Sequence, residues 1–168
     1  LTAQLGQFPP LPLREIAVDG RPRRFDAPPV NIPFSLNFAP GIQLLGLQAD
    51  SDGRTIAAKT GAPLTLTAVW RAAAPIESDY TLTIQLLDGQ QQVIAQRDSA
   101  PLNGAAPTSS WTPGEVIVDE LTLDIPPETA PGPYSLLLAF YQPETGQRLR
   151  LPNNANHLTI PVVLSPMP

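Results

Sequence analysis

The groups in this chain that could act on or hold a ligand are carboxylates, a few aromatic rings and a single histidine. Asp98 with Asp119 or Glu120 has the residue types of a paired-carboxylate glycosidase, in which one group donates a proton and the other activates water or attacks the sugar. A structural role is the preferred reading. A carboxylate that a strand turns inward stays charged only if a donor or cation reaches it, and Arg71, Arg97, Arg148 and Arg150 are all available. Asp119 is therefore expected to pair with an arginine and to anchor the long loop or a neighbouring strand. His157 could serve as a base for a serine, but it adjoins Asn153-Asn154-Ala155-Asn156, and a turn or surface role is preferred. Asp50, Asp52, Asp98, Asp119 and Asp124 offer the oxygen ligands that calcium takes. Their spacing departs from the EF-hand loop, however, and Asp50-Ser51-Asp52-Gly53 is ordinary turn chemistry. No metal and no cofactor is expected.

Sugar-binding sandwiches use Trp and Tyr rings as stacking platforms, which makes Trp111, Tyr141 and Asp98 the candidate ligand-binding set. Trp70 falls on an apolar face and is expected in the core. Two placements are open to Trp111, in a proline-rich loop: plugging the end of the fold, or presenting its ring to solvent. Tyr80 and Tyr141 lie at strand ends, with hydroxyls expected to reach solvent or backbone. Arg21, Arg23 and Arg24 read as a solvated hairpin face rather than an anion site.

The remaining chemistry is constrained by what the sequence lacks. It contains no Gly-x-Ser-x-Gly elbow, phosphate-binding glycine loop, His-Glu-x-x-His or dinucleotide fingerprint, so the chain is read as non-enzymatic. With no cysteine there is no thiolate nucleophile or thiolate metal site, and one histidine excludes a multi-histidine zinc site. A net charge of -5 argues against a grip on nucleic acid. No apolar run reaches the roughly 18 residues of a membrane helix. The chain begins at Leu1, so any targeting or membrane segment is expected upstream. Lys59 is the sole lysine among ten basic residues, a usage that suggests a bacterial GC-rich genome.

The elements that must position these groups are strands. Proline, at 22 residues, fixes φ and removes a donor, so long helices have few places to form. Residues 1–37 read as a proline-rich arm or linker, with a small hairpin around Asp19-Gly20 between Ile16-Ala17-Val18 and Arg23-Arg24-Phe25. Residues 38–168 read as one β-sandwich. Strand signals fall at 42–49, 64–71, 79–87, 93–97, 115–125, 134–141, 147–151 and 158–164, the last two as a hairpin. Leu64, Leu66, Ala68 and Trp70 alternate with Thr65 and Thr67. The segment 115–125 changes apolar parity near Asp119-Glu120, which predicts a bulge. The segment 134–141 is apolar on both faces and should be central. Between Asp98 and Glu115 runs a long irregular loop of the kind that is usually functional or well packed. Pro131-Gly132-Pro133-Tyr134 resembles the corner at which immunoglobulin-like sandwiches start a central strand, giving Gly132 and Tyr134 structural roles. The expected fold is an all-β, immunoglobulin-like or jelly-roll antiparallel sandwich of seven to nine strands.

Several stretches in order, among them Leu64-Thr-Leu-Thr-Ala-Val-Trp70-Arg-Ala, Val93-Ile94-Ala95-Gln96-Arg97-Asp98, Trp111-Thr112-Pro113-Gly114-Glu115 and Pro131-Gly132-Pro133-Tyr134, carry a family resemblance. From about residue 38 to 164 the chain resembles the soluble C-terminal β-sandwich domains of bacterial polytopic membrane proteins similar to dolichyl-phosphate-mannose-protein mannosyltransferases. The resemblance implies an extracytoplasmic location, on the outer side of the cytoplasmic membrane, with catalysis in a membrane part that this chain lacks. The expected function is a non-catalytic accessory module that holds glycan or an envelope protein. The alternative is a structural or protein-interaction sandwich, docking a partner by an edge strand or the arm.

Overall fold

In a computed structural model, residues 20–168 are described, and they form nine strands: β1 Ile32–Phe38, β2 Ile42–Gln48, β3 Ile56–Lys59, β4 Pro63–Ala72, β5 Thr81–Leu87, β6 Val93–Ser99, β7 Val116–Asp124, β8 Gly132–Tyr141 and β9 Leu158–Ser165. They build a four-stranded sheet in the order β1-β2-β4-β7 and a five-stranded sheet in the order β3-β9-β8-β5-β6. The two sheets enclose one apolar core. Pairing is antiparallel throughout, except that β3 runs parallel to β9.

Period-two alternation sets which face of each strand is buried. In β4, Leu64, Leu66, Ala68 and Trp70 point inward, opposite Leu123, Leu121, Asp119 and Ile117 of β7. From the other sheet come Leu82, Ile84 and Leu86 of β5 and Leu136, Leu138 and Phe140 of β8. The centre is aromatic. Trp70 packs edge-on to Phe140 with ring centroids 5.0 Å apart, and Phe38 stands edge-on to both at 6.2 and 5.8 Å. Such edge-to-face pairs add about 0.5–1.5 kcal/mol each beyond burial of their area. The indole Nε1 of Trp70 is buried without a hydrogen-bond partner, a cost of about 1–3 kcal/mol that the three-ring cluster offsets.

Several expectations need correction. β1 belongs to the sheet, so residues 32–37, read as arm, are an edge strand of the sandwich. Pro33 is tolerated there because an edge strand has a backbone side without ladder bonds. β7 holds continuous register with β4 from Val116 to Asp124, with no bulge. The apolar parity breaks because Asp119 occupies a core-facing position, 2% exposed, beside the small Ala68. Residues 147–151 form a single bridge, Arg148 to Tyr141, rather than a strand, and β9 pairs with β8 and β3 instead of with them. β3 escaped notice because Ile-Ala-Ala-Lys is too short to show a period. The hairpin expected around Asp19-Gly20 falls largely outside the described residues.

Gly46 shows how tightly β1 and β2 approach. The register shifts between Leu44 and Gly46 opposite β4, and a Cβ at Gly46 would lie 2.5 Å from Val30 Cγ2 and 2.8 Å from the Ile32 carbonyl. Only glycine leaves room for that contact.

Candidate functional site

Two of the three candidate ligand-binding residues meet on the outer face of the five-stranded sheet. Register places Asp98 of β6 beside Thr83 of β5, Gln96 beside Gln85, and Tyr141 of β8 beside Thr81. The Tyr141 hydroxyl donates to Asp98 Oδ2 at 3.0 Å, and Gln96 Nε2 donates to Asp98 Oδ1 at 3.0 Å. Gln85 Nε2 in turn donates to Gln96 Oε1 at 3.2 Å. The network is polar, solvent-facing and held on three paired strands.

Its floor is apolar. Leu87, Leu137 and Ala139 form a small buried cluster on this outer face, separate from the main core.

Electrostatics at Asp98 favour the charged form. Burial pushes its carboxyl up, but contacts from Thr83, Gln96 and Tyr141 and the Arg148 charge outweigh that, and the net effect holds it below the ordinary carboxylate range. Tyr141 is displaced the other way, first by burial and then by its bond to the Asp98 anion, so its hydroxyl keeps its proton. The pair therefore presents an ionised carboxylate and a phenol oxygen, whose own hydrogen bond is donated to Asp98, as two acceptors beside an aromatic ring. That arrangement suits hydroxyl-rich ligands, whose O–H groups can donate to both oxygens.

Trp111, the third candidate, is elsewhere. Its ring is 4% exposed in the main core and its Nε1 donates to the Ala106 carbonyl at 2.9 Å. Of its two possible placements it takes the plug, and it offers no stacking surface. The loop around it is held from several sides. Thr108 Oγ1 donates to the Ser78 carbonyl at 2.7 Å and accepts from Tyr80 N at 2.9 Å, while Ser109 N donates to Asp79 Oδ1 at 3.0 Å.

Asp119 accepts from Leu102 N at 3.1 Å through Oδ1, which ties the long loop to β7. The arginine pairing expected for it does not form. Arg97 instead donates to the Thr122 carbonyl at 3.1 Å and to Asn103 Oδ1 at 2.7 Å, clipping the β6 edge to β7 and to the loop. Burial pushes the Asp119 carboxyl up to about 6, with the Leu102 N–H and the Arg97 charge opposing. Asp98 lies on the outer face and Asp119 in the interior, so they share no cleft of the kind a glycosidase pair needs.

Sequence reasoning missed Glu115. Its side chain is fully buried, bonded by Arg21 through Oε1 and by Arg23 through Oε2 at 2.7 Å, with Thr112 N also donating to Oε2 at 2.9 Å. Arg21 and Arg23 are thus a clamp rather than a solvated face, and only Arg24 of the three is exposed. The available signal was the Arg-x-Arg spacing, which puts both guanidiniums on one side of an extended segment.

The other singled-out residues have local partners. Tyr134 Oη donates to the Ala130 carbonyl at 2.9 Å across the corner where Gly132 takes a φ of 143°. His157 Nδ1 lies 2.8 Å from Asn156 Oδ1. Asp52 Oδ1 accepts from Arg54 N and Thr55 N, closing its own turn. Among the described residues, no three of His, Asp and Glu converge as a metal site. Among them, too, no helix is long and apolar enough to cross a membrane.

No protein-family model matches the sequence, and no curated protein matches it. Solved structures do share the architecture. The C-terminal domain of wzt superposes with a TM-score of 0.54 at 11% identity, over 82% of each chain. A Niemann-Pick type C2 protein from the Japanese carpenter ant gives 0.47 at 7% identity, over 79% of this chain and all of that one. A CARDB domain from Pyrococcus furiosus gives 0.44 at 13% identity, over 83% of this chain and all of that one. At these identities the likeness shows the two-sheet fold alone.

Proposed function

We propose that this sandwich is a non-catalytic binding module for hydroxyl-rich ligands, glycans foremost, and that the outer face of its five-stranded sheet is the contact surface. The observation that carries this is the Tyr141–Asp98 pair, an ionised carboxylate and an oriented phenol oxygen that both accept, beside a ring, 3.0 Å apart and held on paired strands. Preorganised groups of this kind lose little conformational freedom on binding. The family resemblance supports the wider setting: an extracytoplasmic accessory module of a bacterial cell-envelope protein similar to a glycosyltransferase, where glycan would be the material at hand. The competing reading, docking of an envelope protein by strand addition, is less favoured at the β6 and β7 edges than at those of β1 and β3. Arg97 clips β6 to β7, and β7 also receives the arm, Val116 N donating to the Arg24 carbonyl at 2.7 Å.

A glycan array followed by calorimetry on the best oligosaccharide tests the reading. Binding should be saturable and weakened at least about tenfold, on the order of 1.4 kcal/mol, by Asp98→Asn or Tyr141→Phe at unchanged melting temperature. Failure of every oligosaccharide, or binding indifferent to both substitutions, contradicts it.

A further inference from the structure

At the end of β8, next to the Tyr141–Asp98 pair, lies a cleft of about 250 Å³ whose walls include Tyr80, Gln142, Gln147, Arg148 and Arg150. The segment 147–151 forms one wall. It runs beside the end of β8, with Leu149 N donating to the Phe140 carbonyl at 2.8 Å and Gln142 N to the Gln147 carbonyl at 2.9 Å. Leu149 packs on the core and Leu151 is buried, so the alternation of an extended segment puts Arg148 and Arg150 together on the opposite side.

Among the described residues, no carboxylate lines this cleft. Arg150 is steadied by donating Nη1 to the Asn154 carbonyl at 3.0 Å, and Arg148 makes no ion pair among the described residues. Arg148 acts on Asp98 only through its charge. In a chain of net charge -5, two arginines lining one concavity with two glutamines and a tyrosine supply local positive charge. Guanidinium forks match the oxygens of a carboxylate or phosphate in a way that neutral hydroxyls do not.

We infer that the Arg148–Arg150 cleft is an anion subsite, and that the glycan this module takes carries an acidic substituent, a carboxylate or a phosphate. The inference rests on the binding reading above. The bridge between Tyr141 and Arg148 joins the two parts, so one saccharide can present hydroxyls to Asp98 and Tyr141 and its anion to the arginines.

Matched charged and neutral probes test it: oligogalacturonate against its methyl ester for a carboxylate, and mannose 6-phosphate against mannose for a phosphate. Calorimetry on the full chain, at low and at raised ionic strength, should show one charged form binding at least about tenfold tighter than its neutral match, with the preference shrinking in salt. Arg150→Gln should remove most of the preference and leave neutral binding intact, Arg148→Gln should also remove most of it, and Arg148→Lys, which keeps the charge that acts on Asp98, should keep part of it. Equal affinity for charged and neutral forms, or a preference that survives the double glutamine variant, overturns the anion subsite. In that case neutral binding that still depends on Asp98 leaves the glycan reading standing. Absence of binding by all four probes at high concentration overturns the subsite, and the array result then decides the glycan reading separately.

Discussion

Asp119 on β7 accepts a hydrogen bond from the backbone N–H of Leu102, 3.1 Å away in the long loop, and leaves its other oxygen buried without a partner. A carboxylate so placed favours its neutral form. The folded protein then binds a proton that the unfolded chain releases near pH 3.8, and keeps it until about 6. Stability from this group is therefore full below pH 3.8, falls as pH rises through 6, and is flat above. The total is on the order of 3 kcal/mol. Asp119→Asn should retain the Leu102 bond, remove that slope and raise stability near pH 7.5, as read by urea unfolding at a series of pH values. A slope unchanged in the variant contradicts the assignment.

Glu115 ties the N-terminal segment to the sandwich. Removing one partner from a buried ion pair strands the remaining charge, at about 3–5 kcal/mol. Glu115→Ala, and separately deletion of residues 1–24, should lower the urea midpoint by corresponding amounts without changing strand content by circular dichroism. A loss below about 1 kcal/mol in both would show that the clamp is dispensable.

Trp111 fills the core beneath its loop. Trp111→Ala should cost about 3–5 kcal/mol, the usual range for an emptied aromatic site, and Trp111→Phe much less. If the fold tolerates Trp111→Ala with no change in melting, the ring is not the plug described.

Gly46 admits no side chain. Gly46→Ala forces Val30 and the Ile32 carbonyl away from β2, so the melting temperature should fall by several degrees, in line with an overpacking cost of about 1–3 kcal/mol. An unchanged melting temperature would mean that the β1–β2 contact is slack.

Much of the body was legible because its strands carry a period of two. β4 and β5 announce themselves through Leu64 to Trp70 and Leu82 to Leu86, and β8 through apolar residues on both faces. What the pattern could not supply came from polar residues in apolar places. Asp119 reads as a change of register because an apolar period has no symbol for a buried carboxylate. Trp111 looks the same in a sequence whether its loop folds over it or away from it. The Glu115 clamp joins residues more than 90 positions apart, a contact to which no local spacing points. The Tyr141–Asp98 pair was half visible. Both residues stood out individually, but their meeting depends on β5 lying between β6 and β8, an order that composition does not encode.

The outer-face assignment is tested most directly by mapping a saccharide titration onto backbone amide resonances of ¹⁵N-labelled protein. Shifts should concentrate at residues 81–85, 96–98 and 139–150 and should collapse in the Asp98→Asn variant. Shifts confined instead to the apolar groove around Phe38, Pro40 and Leu151, or scattered without a focus, would contradict a binding surface built on Asp98 and Tyr141.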